Sequence, residues 1–419
     1  MTTATHVFVN ANEVVTAAGA PGPRRGAAMA DAGVRRGWAV AMAGERIVAA
    51  GPEADVRAAH RGAKEIDCAH GVLTPGLIDS HTHAVFGAGR FAEHELRATG
   101  VSYLEIARQG GGIHASVRDL RARPEDELFA LAVPRVRSML AAGTTTIEIK
   151  SGYGLSLADE LKTLRVVARL AAELPCRVVP TFLGAHEIPL EARERPGGRE
   201  AYIAEVCDVM LPAVARERLA RFADVFCEPG VYTHDETRRI LLAARANGFA
   251  LKLHADELED GGGAELAAEL GATSADHLGA ISQAGIAALA ASDTVATLLP
   301  ATMLFLGRET QAPARALIDR GVAVALASDF NPGTSPLTNL GVVLTLAVSR
   351  LHMRVGEALT AVTANAAAAL GLAAETGQLA AGYSADVALW DARDHRELPY
   401  WFGERLCRAS WTRGKPCHR

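Results

Sequence analysis

The chain has 419 residues, 49% of them hydrophobic, with a formal net charge of −5 and a pI near 6.3. That length allows one large domain plus a smaller module, and neither sign of charge forms the long run expected of a protein that binds nucleic acid or an anionic membrane surface. No segment approaches about 20 uninterrupted apolar residues, and the first residues, MTTATHVFVN, lack the basic and apolar regions of a secretory leader. A soluble, cytoplasmic protein acting on a small molecule is expected, with no nucleic-acid or membrane partner. Cys68, Cys176, Cys207, Cys227, Cys407 and Cys417 form no CxxC pair, which fits reduced thiols. Only five of the 43 basic residues are lysines, so a lysine inside a strand stands out.

Residues 6–72 carry short strand-like pieces and read as a small β-module. The Ala, Gly, Pro and Arg-rich stretch at 18–36 is expected to be a mobile loop without chemistry. Next comes LTPGLIDSHTHAVFGAGR, residues 73–90. Alternate residues of a strand point the same way, so His81 and His83 would project together from one strand end. A bare HxH has an ordinary reading as two polar residues at a strand terminus, and its company decides.

That company is a region alternating apolar strands with helical stretches. Strands are predicted at 73–83, 144–151, 177–186, 223–229, 250–257, 274–279, 295–300 and 322–329. Helices are predicted at 124–142, 157–173, 199–220, 233–247, 261–270, 282–290 and 310–320. Eight strands, each with a crossover, have the rhythm of an α/β (β/α)₈ barrel. The rival, a doubly wound open sheet, lacks its GxGxxG fingerprint. Segments 377–393 and 405–414 again read as strands, so both chain ends are expected to pair into one small β-sandwich. The expected domains are residues 1–72 with 376–419, and a barrel over 73–375.

Barrel chemistry gathers where strands end. Strand one ends in His81 and His83, strand three in His186, strand five in His254 followed by Glu257, strand six in His277, and strand eight in Asp329. An isolated histidine is more often structural, but six such residues in phase point to a site. His81, His83, His254 and Asp329 form an N₃O set suited to Zn or Fe. Such an ion lowers the pKa of a coordinated water toward about 7, giving a hydroxide nucleophile. His277 and Asp329 are the candidates to hold and deprotonate that water, and Glu257 to carry a proton to a leaving nitrogen.

The constellation resembles the amidohydrolase superfamily, whose members join such a barrel to a small sandwich built from both chain ends. Binuclear members carry a bridging lysine on strand four. Here that strand reads ADVFCEPG, so the resemblance implies one divalent or trivalent metal ion, Zn or Fe. Within the superfamily the chain is similar to the imidazolonepropionase family through DSHTHAVFGAGR, GVSYLEIARQGGGIHASVR, IEIKSGYGL, TFLGAHEIP, LKLHADEL, SADHLG, ASDFNPGTSP and ELPYWFG. This resemblance implies hydrolysis of the cyclic amide of 4-imidazolone-5-propanoate to N-formimidoyl-L-glutamate by a homodimer. It implies substrate contacts from Arg90, Tyr153, His186, Glu257, Asn331, Gly333 and Thr334, with Arg90 suited to the propionate carboxylate. Alternatives are another mononuclear amidohydrolase, such as a base deaminase, and a non-catalytic scaffold.

Strand alternation gives one more expectation. Glu148 and Lys150 alternate with Ile147 and Ile149, and Lys252 lies two residues before His254. These charges should face the barrel interior, with Lys252 meeting a carboxylate, Glu148 first.

Overall fold

A computed structural model describes residues 3–101, 105–106 and 110–418; positions 102–104 and 107–109 of the motif at 100–118 lie outside the described residues. All eight predicted barrel strands form. They are Leu77–Asp79, Thr144–Lys150, Arg177–Ala185, Phe222–Cys227, Ala250–Ala255, Ser274–His277, Val295–Leu298 and Val324–Leu326. Each hydrogen-bonds in parallel to its neighbour in chain order, giving one eight-stranded sheet. Strands such as TTTIEIK are buried along their whole length because helices cover one face and side chains fill the other. The covering helices include Glu125–Ala141, Leu157–Glu173 and His234–Ala246. Predicted helix 310–320 shortens to Ala314–Asp319, with Pro300–Phe305 ahead of it, since Pro313 restricts the turn before it.

The first strand differs from expectation in an instructive way. The run 73–83 is divided at Gly76, so that Val72–Pro75 pairs with Val387–Trp390 in the small sheet while Leu77–Asp79 opens the barrel. A Cβ at position 76 would stand 2.1 Å from Thr145 Oγ1 and 2.7 Å from Thr145 Cβ, so a glycine is what lets the chain pass between the sheets. His81 and His83 therefore lie beyond the strand, in the segment that closes the ring. There Asp329 N donates to His81 O at 3.0 Å and His83 N donates to Phe330 O at 2.8 Å. Just below, Asp79 accepts from Ser328 N at 3.0 Å and from Ser328 Oγ at 2.6 Å.

Strands from both chain ends build a four-stranded and a six-stranded sheet. Phe8, Val40, Met42, Leu73, Leu389 and Trp411 are buried together between them, and Phe8 meets Trp411 edge to face at 4.8 Å. Two sheets sharing one apolar filling make a sandwich. Trp390 ties this region down, its Nε1 donating to Thr74 Oγ1 at 2.8 Å.

The stretch at 18–36 is not the free loop its composition suggests. Met29 is fully buried, Thr360 Oγ1 donates to its carbonyl at 2.9 Å, and Arg24 N donates to Asn365 Oδ1 at 2.7 Å. One apolar anchor and one asparagine from the end of the barrel hold it, a pairing that loop composition conceals. No helix among the described residues is long and apolar enough to cross a membrane.

Candidate metal centre and substrate cavity

The strand ends bring the predicted histidines into one cluster. His81 lies 4.5 Å from His254, 5.3 Å from His83 and 5.3 Å from His277, ring centre to ring centre. Asp329 Oδ1 is 3.6 Å from His81 Nε2 and 3.5 Å from His83 Nε2. Two of these residues reach the cluster through uncommon backbone. His277 has φ +81° and Asp329 φ +52°, in the left-handed region that side-chain-bearing residues avoid. At His277 this breaks the strand alternation, so Asp276 and its neighbour both face inward.

The residues fit a metal ion. Nε2 of His81 and of His254 are buried with no hydrogen-bond partner among the described residues. A buried imidazole nitrogen left without a partner is costly unless something fills the place. Ligand atoms lie within 4.8 Å of one another in three overlapping triads: His81, His254 and His277; His83, His186 and His254; His81, His83 and Asp329. Every pair of the expected quartet except His254 with Asp329 falls inside one of these triads. Burial pushes His81, His83 and His277 well below the ordinary histidine range, which keeps them in the neutral, ligating form. Burial also lifts Asp329 to about 6, against the pull of Thr302, whose Oγ1 donates to Asp329 Oδ2 at 2.6 Å.

Beside the cluster, the carboxyl of Glu257 is buried. Burial first, then the carboxylates of Asp329 and Glu228, raise it well above the usual range. Its Oε2 lies 3.6 Å from His277 Nδ1. The turn that presents it is fastened by Glu228, which accepts from the backbone N–H groups of Glu257, Leu258 and Glu259 at 2.9, 3.0 and 2.8 Å.

One cavity of about 710 Å³ joins His83, His254, His277, Asp329 and Glu257 to Arg90, Tyr153, His186, Asn331 and Thr334. Such a volume suits a small ligand. Arg90 is nearly buried, and its Nε and Nη1 have no hydrogen-bond partner among the described residues. The guanidinium lies against Gly333, where an added Cβ would stand 1.3 Å from Nη2. His186 turns Nδ1 to Gly152 O at 3.0 Å, stacks on His83 at 5.1 Å, and is pushed down by burial to about 3. Tyr153 packs 5.4 Å from His186 in a loop held by Glu160, whose carboxylate accepts from Gly152, Gly154 and Leu155 N–H groups. Asn331 commits its amide to its own loop. Its Nδ2 donates to Asp329 O at 2.8 Å and Thr334 Oγ1 at 2.7 Å, and its Oδ1 accepts from Gly333 and Thr334 N–H groups. What Asn331 offers the cavity is thus the shape of that loop.

Several residues of the site escaped the sequence reading: Asp224, Asp276, Glu228, Glu160 and Thr302. Asp224 Oδ2 lies 3.0 Å from His254 Nδ1, and Asp276 Oδ2 lies 2.7 Å from His81 Nδ1. The signal for Asp224 is alternation, since Phe222, Asp224 and Phe226 share one face of their strand. Glu228 and Glu160 bind backbone amides, and nothing in their local sequence announces that.

The Amidohydrolase family profile matches residues 72–409. The chain is 48% identical over 413 residues to the imidazolonepropionase of Symbiobacterium thermophilum, covering 98% of this chain and 96% of that protein. It is 46% identical to the imidazolonepropionase of Solibacter usitatus, with 98% of each covered. Among solved structures it resembles a triazine hydrolase variant (TM-score 0.76, 16% identity, 99% and 94% covered). An adenosine deaminase from Xanthomonas campestris with bound zinc is also similar (TM-score 0.72, 19% identity, 99% and 92% covered). These two establish the likeness of fold.

Proposed function

The chain belongs to the amidohydrolase family, and from that premise we propose that it opens the cyclic amide of 4-imidazolone-5-propanoate to give N-formimidoyl-L-glutamate. It is a hydrolase of carbon–nitrogen bonds in cyclic amides, with a metal cofactor and a small-molecule substrate. The observation that carries the substrate reading is the near-buried Arg90, which lies 3.7 Å from Glu93 and whose Nε and Nη1 have no hydrogen-bond partner among the described residues, in one cavity with the histidine cluster and Glu257. A cation placed to receive a carboxylate and a hydrolytic centre in the same space suit a ring that bears a propionate arm.

His81, His83, His254 and Asp329 would hold the ion, a single zinc or iron in this reading. When bound, such an ion supplies Lewis acidity, acidifying water and polarising the amide carbonyl. Arg90 binds the propionate carboxylate and fixes the ring's orientation, while Tyr153 and His186 line its far side. Glu257 accepts the proton given up by water as oxygen adds to the ring carbonyl carbon. The bond from that carbon to the ring nitrogen then breaks, and Glu257 returns the proton to the nitrogen. His277, 3.6 Å from Glu257, steadies the carboxyl between the two transfers. Thr334 and the loop shaped by Asn331 close the cavity over the product.

We place this activity in the cytoplasm of the cell, in a homodimer. All six cysteines are free, which supports a reducing compartment. Tyr400, Trp401 and Phe402 stand exposed in a row, which supports an interface between copies. The test is turnover of 4-imidazolone-5-propanoate by the wild type and by Glu257→Gln, with cytosine, guanine and adenosine as controls. Ring opening by the wild type alone is expected. Deamination of a base without ring opening would replace the substrate assignment, and full activity in Glu257→Gln would remove the proton carrier.

A further inference from the structure

Beneath the histidines lies a cluster of charge that touches neither the cavity nor the solvent. Glu148, Lys150, Asp224, Lys252 and Asp276 come from strands two, four, five and six, and their side chains are wholly buried. Lys150 Nζ lies 2.9 Å from Glu148 Oε1, 2.8 Å from Asp224 Oδ2 and 3.6 Å from Asp276 Oδ2. Lys252 Nζ lies 3.3 Å from Glu148 Oε1 and 3.6 Å from Asp276 Oδ2, and donates to Ser80 O at 3.0 Å. Strand alternation predicts the pairing of Lys252 with Glu148; it does not anticipate that Lys150 enters the same knot.

In two of these carboxylates the oxygen that faces the lysines, Oδ2 in each case, also meets a metal-site histidine. Asp276 receives His81 Nδ1 at 2.7 Å, and Asp224 lies 3.0 Å from His254 Nδ1. Three carboxylates this close in a dry core repel one another, and each left alone would carry a large desolvation cost. Two ammonium groups set among them remove most of that repulsion and fix where each carboxylate points. An imidazole whose Nδ1–H is so received keeps Nε2 free for a cation, and its ring cannot flip without breaking the bond. Nε2 is buried and unpartnered among the described residues in both rings; Nδ1 of His81 is hydrogen-bonded to Asp276, and Nδ1 of His254 stands 3.0 Å from Asp224 without a hydrogen bond to it.

We infer that Lys150 and Lys252 are positioning residues for the metal centre: by holding Asp276 and Asp224, they orient His81 and His254 with Nε2 toward the ion, though neither lysine touches it. The inference rests on the metal-site reading, and one experiment separates the two. The zinc dissociation constant is measured by chelator competition for the wild type, Lys150→Met, Lys252→Met and the double variant Lys252→Met/Glu148→Gln, with circular dichroism to verify folding. Each single variant is expected to lose about tenfold to a hundredfold in affinity. The double variant, which removes one negative charge with one positive, is expected to recover most of the loss. A wild type that takes up no zinc overturns the metal reading itself. Single variants within twofold of the wild type, or a double variant no better than Lys252→Met, overturn the role given to the lysines. If the variants do not fold, ¹⁵N NMR of the zinc-loaded wild type decides. Two imidazoles protonated at Nδ1 and metal-bound at Nε2 are expected for His81 and His254, and Nδ1 coordination of either overturns the inference.

Discussion

Replacing Gly333 by alanine tests the carboxylate anchor without removing a charged group. The new methyl would stand 1.3 Å from Arg90 Nη2, 2.0 Å from Cζ and 2.3 Å from Nε, where ordinary contact begins at 3.4 Å. The guanidinium must therefore retreat by about 2 Å, far enough to lose a well-aligned hydrogen bond. A hydrogen bond to a charged group contributes about 1.5–3 kcal/mol, so KM should rise about tenfold to a hundredfold while kcat stays near the wild-type value. Stability should hardly change, because Gly333 does not need a left-handed backbone and the group that moves is the end of a flexible side chain. Steady-state kinetics on 4-imidazolone-5-propanoate read the effect, with Arg90→Met as the companion. Adding Gly333→Ala to Arg90→Met should cost little more, since both act through one contact. A Gly333→Ala enzyme whose KM stays within twofold of the wild type would refute the reasoning.

Three other changes have defined outcomes. Glu257→Gln should lower kcat by about 10² to 10⁴ with KM nearly kept, and a smaller drop in single-turnover experiments would assign the proton transfer elsewhere. The same substitution should stabilise the metal-free protein at pH 8. Burial raises the Glu257 carboxyl well above its ordinary range, so its ionised form opposes folding above the folded pKa and not below the unfolded one. The gain in Tm should shrink as the pH falls and vanish near pH 4; a constant difference would contradict the shift. Removing metal with a chelator should lower Tm and zinc should restore it, the linkage being about 4 kcal/mol at a free ion concentration of 1,000 Kd. An unchanged Tm in differential scanning calorimetry would count against the ion as a resident of the native state. Finally, Trp390→Ala, which empties a buried position and breaks the bond to Thr74 Oγ1, should cost about 3–5 kcal/mol in urea denaturation. A cost below 1 kcal/mol would mean that the sandwich relaxes around the gap.

The barrel is legible because its strands are apolar runs, five of which end in a histidine or a carboxylate. His254 and His277 could be assigned from that rule alone. The division of the first strand is invisible in the sequence because Gly76 changes the sheet without changing the hydrophobic pattern, and its close approach to Thr145 is a tertiary fact. Asp224 and Asp276 were missed for different reasons. Asp224 lay in plain view on an inward face, whereas Asp276 faces inward beside an inward His277 only because the backbone turns left-handed there. The anchoring of the stretch at 18–36 is hidden because loop composition says nothing of where one methionine can be buried. Glu160 and Glu228 act on backbone amides, and a carboxylate bound for an N–H group looks like any other in the sequence.

The seam where strand eight meets strand one has a temporal meaning. Asp79 and Ser328, which fasten it, are 249 positions apart, and the segments just beyond them supply His81, His83 and Asp329. A chain being synthesised thus carries its first two histidines through most of its length with nothing to complete them. Closing so long a loop carries an entropic cost that the seam's contacts must offset. The full set of His81, His83, His254 and Asp329 is therefore assembled only when the ring is closed.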